Sequence, residues 1–109
     1  MKNLLSKPKI IFANTFFKQI KGLMFKRDFN DILIFTFKKP VKYSFHTLFM
    51  FFPIDIYFFL NKTLVEYYLD VKPWKIIKPK HKYNIVVEIK HNKFTKEEIE
   101  KLLSSLKLR

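Results

Sequence analysis

The sequence predicts an α+β domain, mainly antiparallel β: a small barrel-like curled sheet with a short N-terminal helix and a C-terminal amphipathic helix. Three observations predict it. Short runs rich in aromatic and β-branched residues recur along the chain, separated by Pro-, Asn- or Lys-bearing breaks. No strand–helix–strand alternation of the kind that builds a parallel sheet is present. The strongest helical signal comes last, where Thr95 and Glu98 form a capping-box pair ahead of Ile99, Leu102, Leu103 and Leu106 at helical spacing.

The chain of 109 residues reads as one domain over residues 1–109, large enough for a real core. With 14 Phe and 5 Tyr against one Gly, it is too aromatic for a disordered chain. Taken in order, Ile10, Ile11, Phe12 and Ala13 suit a short buried strand. Asn14 or Thr15 is placed to cap a brief helix carrying Phe16, Phe17 and Ile20 on one face. Gly22, the sole glycine, fits a left-handed stop to that helix. Ile32–Phe37 reads as a strand buried on both faces and Val41–Phe45 as a second strand. After Pro53, Ile54, Ile56, Phe58 and Leu60 alternate with Asp55, Tyr57 and Phe59, the two faces of one strand. Asn61-Lys62 is a tight turn and Thr63–Val71 the returning strand. Lys75–Ile77 is a short strand, Lys78–Lys82 a basic loop, and Tyr83–Ile89 a strong strand.

The longest apolar run, Leu48–Leu60, is interrupted by Pro53 and Asp55 and is shorter than the roughly 20 residues a spanning helix needs. The first residues lack a secretory cleavage signal. The expectation is a soluble, cytoplasmic protein, monomeric or weakly oligomeric, with no membrane partner. The absence of Cys removes disulfides, thiol catalysis and thiolate metal sites. The net charge is +13, but only Arg27 and Arg109 are arginine. Lysine is a point charge rather than a rigid phosphate-reading fork, so the excess is split between a heat-adapted composition and a real affinity for polyanions.

Several spaced motifs carry a family resemblance. Lys21-Gly22-Leu23-Met24-Phe25, His46-Thr47-Leu48-Phe49-Met50, Pro53-Ile54-Asp55-Ile56, Pro73-Trp74 and Val86-Val87-Glu88 occur in that order. Over about residues 10–90 the chain resembles the domain-of-unknown-function family 192, also grouped as uncharacterised protein family 0127. The resemblance implies a compact, mostly β fold and brings no settled activity. Two departures stand out: Asn61-Lys62 replaces a glycine-bearing hairpin turn, and Lys90-His91-Asn92 replaces a glycine-bearing turn after the late strand.

Asp55 is the first candidate for chemistry, because a carboxylate in an apolar strand must be bonded, paired or protonated. Its roles range from ligand anchor or base to a local cap at the Pro53 bend, and the cap is preferred. His46 and Met50 lie four apart and suit the lining of an apolar pocket, or the core. A His46–Asp55–Glu88 cluster would hold a hard cation or zinc, yet no close ligand spacing supports a metal. Trp74 lies among Lys72, Lys75 and Lys78, a pattern that stacks a base or a sugar, or covers a sheet edge. Lys72, Lys75, Lys78, Lys80 and Lys82, with His81 and no acid, form the most basic local patch. One glycine cannot build a phosphate-cradling loop, which excludes the common nucleotide-binding enzymes.

The expectation is therefore a non-enzymatic binding module with no cofactor. Its aromatic-lined pocket around residues 45–55 takes a small ligand through His46, Met50, Asp55, Trp74 and Glu88. The alternatives are a nucleic-acid or polyanion binder using Lys72–Lys82, and a metal-assisted hydrolase using Asp55 and Glu88.

Overall fold

The computed structural model describes residues 8–13 and 23–106. The expected helix at Asn14–Ile20 and its stop at Gly22 lie outside the described residues. Seven strands and one helix are present among the described residues: β1 (Ile10–Ala13), β2 (Ile32–Val41), β3 (Phe45–His46), β4 (Ile54–Leu60), β5 (Thr63–Val71), β6 (Ile76–Ile77), β7 (Tyr83–Lys90) and α1 (Lys96–Ser105). Five strands form one sheet in the order β1-β2-β7-β4-β5, and β3 pairs with β6 in a separate ribbon.

The expected barrel does not form. The sheet is open, with β1 and β5 as its edges. The β1–β2 pair is parallel and every other pair antiparallel, so the sheet is mixed. Edge strand β5 is irregular. Its register slips twice against β4, between Ile54 and Ile56 and again between Phe58 and Phe59. Each slip sets an extra residue in β5, and such bulges twist an edge away from further pairing.

Val41–Phe45 is not one strand. β2 runs on to Val41 with a register shift against β7 between Thr36 and Val41, and only Phe45–His46 is extended and paired beyond it. That irregular stretch contains Pro40, which has no N–H to give a ladder. The Asn61-Lys62 hairpin turn is as expected: φ is 54° at Asn61 and 84° at Lys62, the two left-handed positions of a turn matched to strand twist.

Both faces of the sheet are covered, which explains the continuous apolar runs in β2, β4 and β7. On one face Leu33, Phe35, Ile54, Ile56, Phe58 and Val86 pack beneath Leu23, Phe29, Met50 and Phe52 from the connecting loops. On the other, Ile34, Tyr57, Phe59, Val87 and Ile89 pack against Ile99 and Leu103 of α1. The helix starts at the expected capping box: the Glu98 N–H donates to Thr95 Oγ1 (3.1 Å) and the Thr95 N–H donates to Glu98 Oε1 (2.9 Å). Among the described residues no helix is long and apolar enough to cross a membrane.

Candidate functional site

Three loops converge on Thr47, which is fully buried. Its hydroxyl donates to the Lys72 carbonyl (2.7 Å) and accepts the Lys75 N–H (2.8 Å). Its own N–H donates to the Lys75 carbonyl (2.8 Å), and its carbonyl accepts the Trp74 N–H (2.9 Å) and the Met50 N–H (3.3 Å). One hydroxyl amino acid thus fixes the loop after β3 against the loop before β6. The third loop is tied in by the Phe25 N–H, which donates to the Phe49 carbonyl (2.8 Å).

This tying presents three aromatic rings to solvent. Phe25, Phe49 and Trp74 have positive φ, at 64°, 61° and 66°. For bulky side chains the left-handed region is unfavourable by about 1–2 kcal/mol each. The rings contact in series, with centroids 5.1 Å apart for Phe25–Phe49 and 4.8 Å for Phe49–Trp74. They nevertheless remain 64, 40 and 60 % exposed. Phe51 and Ile76, in the same loop system, are also exposed. Lys26, Arg27, Lys72 and Lys75 flank the rings in sequence, and all four are exposed. Segments 23–27, 47–53 and 72–78 contain no carboxylate. Asp70 from β5 reaches Lys72 (2.9 Å), and that bond holds its carboxyl below the usual range.

The two candidate carboxylates lie on opposite faces of the sheet. Asp55 follows the parity of Tyr57 and Phe59, on the helix side, and is 2 % exposed. Its Oδ1 accepts the Asp70 N–H (2.8 Å), and the His91 ring donates to it from Nδ1 (2.8 Å); Oδ2 accepts the Asn92 N–H (3.2 Å). Both backbone donors belong to left-handed residues, Asp70 at φ 56° and Asn92 at φ 64°. The bulge in β5 frees one N–H and the turn after β7 presents the other. Asp55 is therefore a long-range clamp tying β4 to β5 and to the turn after β7, not the local cap at the Pro53 bend expected from the sequence.

Glu88 takes the parity of Val86, on the loop-covered face, between Leu33 of β2 and Ile56 of β4. It is 4 % exposed. Burial pushes its pKa up to about 8, so at neutral pH the group is predominantly a neutral acid.

Of the remaining residues, Met50 is a core side chain beside Phe52. His46 is half-buried in β3, and its Nδ1 accepts the Leu48 N–H (3.1 Å), leaving Nε2 as the nitrogen that donates. His46 is placed beside Ile76 and, through Thr47, near Trp74. The five expected ligand residues therefore do not line one pocket: Asp55 stands apart from the others, and Met50 is packed away. Among the described residues no three of His, Asp and Glu are placed to hold a metal ion. Asp55 and Glu88 likewise cannot act as a pair on one substrate.

Lys72, Lys75, Lys78, Lys80 and Lys82 are all exposed. The stretch is not free of acid in space, however. Glu66 of β5 accepts the N–H groups of Lys80 (2.9 Å) and His81 (3.0 Å), the His81 ring (2.9 Å) and the Tyr68 hydroxyl. Burial would raise the Glu66 pKa, but these bonds bring it below its ordinary value.

Sequence reading missed Phe25, Phe49, Thr47 and His91. Nothing in the order of residues marks a phenylalanine as left-handed. Thr47 did carry a signal, as an uncharged hydroxyl at the head of an apolar run. His91 was hidden by its position in a turn.

Comparison with known proteins places this arrangement. The family described as uncharacterized ACR, COG1430 (DUF192) matches residues 2–101. The chain belongs to the DUF192 family. Within the same uncharacterised group, it is 31% identical to UPF0127 protein PH1112 of Pyrococcus horikoshii over 88 residues, covering 80% of this chain and 76% of the relative. It is 28% identical to UPF0127 protein TK1120 of Thermococcus kodakarensis over 82 residues, covering 73% of this chain but only 52% of that protein. Both sources are thermophilic archaea, in keeping with the lysine-rich composition. A crystal structure of a protein of unknown function from Novosphingobium aromaticivorans shares the fold, with a TM-score of 0.71 at 20% identity over 91% of this chain and 70% of that one. In the turn after β7, Asn92 has a φ of 64°, a left-handed value that asparagine tolerates.

Proposed function

We propose that this DUF192 protein is a non-enzymatic binding module whose working surface is the ring series Phe25–Phe49–Trp74, not an enclosed pocket. One observation carries the reading: three bulky aromatics are held in unfavourable left-handed conformations, locked by backbone bonds, and left in solvent. Strain of this kind persists where surrounding structure imposes it, and it clusters at ligand-contacting sites. Contiguous exposed apolar surface likewise marks interaction sites. A merely structural cluster would turn its rings inward, as Phe35, Phe45 and Phe58 do.

The fitting ligand has an apolar or planar face and negative charge, because the flanking side chains are Lys and Arg. Anilinonaphthalene sulfonate combines both features and serves as a probe. The native protein should bind it with quenching of Trp74, the single tryptophan. Phe25→Ser with Phe49→Ser should weaken binding at least about tenfold, a loss of about 1.4 kcal/mol, while cooperative unfolding is retained. Equal binding by the variant, or none by the native protein, would overturn the reading.

A further inference from the structure

Resting on that reading, we infer that the partner of the Phe25–Phe49–Trp74 surface is an anionic lipid surface, into which the rings dip while the flanking lysines meet the headgroups. The composition of the exposed loops favours this occupant. Phe25, Phe51, Trp74 and Ile76 are each 60 % or more exposed, and Phe49 is 40 % exposed. An isoleucine and phenylalanines add apolar area without any hydrogen-bonding function, which suits the boundary between headgroups and acyl chains. Tryptophan is a residue of that same boundary.

The charges are complementary. Lys26, Arg27, Lys72, Lys75 and Lys78 lie on the three loop segments, all exposed, with no acid among those segments. Each basic side chain near an anionic leaflet adds to the attraction. Asp28 is engaged with Lys90 (2.7 Å) and Asp70 with Lys72 (2.9 Å), which leaves Lys26, Arg27, Lys75 and Lys78 as the charges that face the headgroups.

A base-stacking platform fits less well. Phe49 is sandwiched in series between Phe25 and Trp74, so the rings use part of their faces on one another. The segments offer no free hydroxyl or amide side chain to a base or sugar edge: Thr47 is the only such residue in them, and it is buried and fully bonded. A bilayer needs neither open ring faces nor edge readers.

The test is flotation of the intact protein with vesicles, read together with Trp74 emission. Vesicles of phosphatidylcholine with phosphatidylserine should carry the protein up and shift its emission to the blue. Pure phosphatidylcholine should bind at least about tenfold less, the effect of losing one to two lysine–headgroup attractions. Lys75→Glu should weaken binding and flatten its salt dependence; Phe25→Ser should abolish the blue shift. No association with the anionic vesicles, or association unchanged in both variants, overturns the inference. Quenching by oligothymidylate without vesicle association also overturns it and makes the surface a nucleic-acid platform. If the sulfonate probe still binds in either case, the aromatic binding surface stands and only the lipid assignment falls. If the probe fails as well, both fall.

Discussion

Asp55 and Glu88 occupy neighbouring strands of one sheet, yet they face opposite layers and differ in what they touch. Asp55 receives two N–H groups and an imidazole, so its removal leaves three part-buried donors without their acceptor. Asp55→Ala should lower stability by about 3 kcal/mol, checked by urea unfolding, against about half a kcal/mol for an exposed aspartate. Glu88 has the reverse problem. Its folded pKa of about 8 lies above its ordinary 4.5, so folding favours the protonated form. The contribution of Glu88 to stability should be greatest below pH 4.5, decline as pH rises from there to 8, and then level off. Glu88→Gln keeps the shape and removes the titration, so at pH 7 it should stabilise the fold by up to about 3 kcal/mol and flatten that decline. A profile for the glutamine variant identical to the native one would show that Glu88 is not the group responsible. At this scale the sequence was half legible. That each carboxylate interrupts an apolar strand was visible; that they lie on opposite faces follows from parity once β4 and β7 pair in register.

At the scale of elements, the local signals carried furthest where the interaction itself is local. The Thr95–Glu98 box begins α1 as read, and Thr95→Ala should cost about 1 kcal/mol, measurable as a lower denaturation midpoint. The Asn61-Lys62 turn needed only two neighbouring residues, and it too was readable. Long-range choices were not. The two bulges in β5 are set by which residue of β4 each β5 residue opposes. The parallel partner of β1 is likewise invisible to periodicity, which reports a strand but not its neighbour. Thr47 shows the same limit. A threonine in an apolar run is legible as odd, but its partners lie about 25 residues away. Thr47→Val preserves the shape and deletes the hydroxyl, leaving the Lys75 N–H without its acceptor; it should cost about 1–3 kcal/mol and loosen the Trp74 loop, seen as faster amide exchange there.

For the whole molecule, folding and binding are divided between regions. Both faces of the central sheet are covered by apolar side chains, one by loops and one by α1, and this core accounts for the fold without Phe25, Phe49 or Trp74. Those rings lie outside it, on loops anchored by Thr47, with basic residues around them. A binding role therefore predicts that they are dispensable for stability and required for contact. The most direct measurement is paired urea unfolding and sulfonate-probe titration of the Phe25→Gly, Phe49→Gly double variant. Glycine adopts the left-handed backbone without steric penalty, which offsets the lost ring contact. The account predicts a stability change within about 1 kcal/mol and at least about a tenfold loss of probe affinity. A stability loss above about 3 kcal/mol with probe binding intact would show that the rings hold the fold together, and would contradict it.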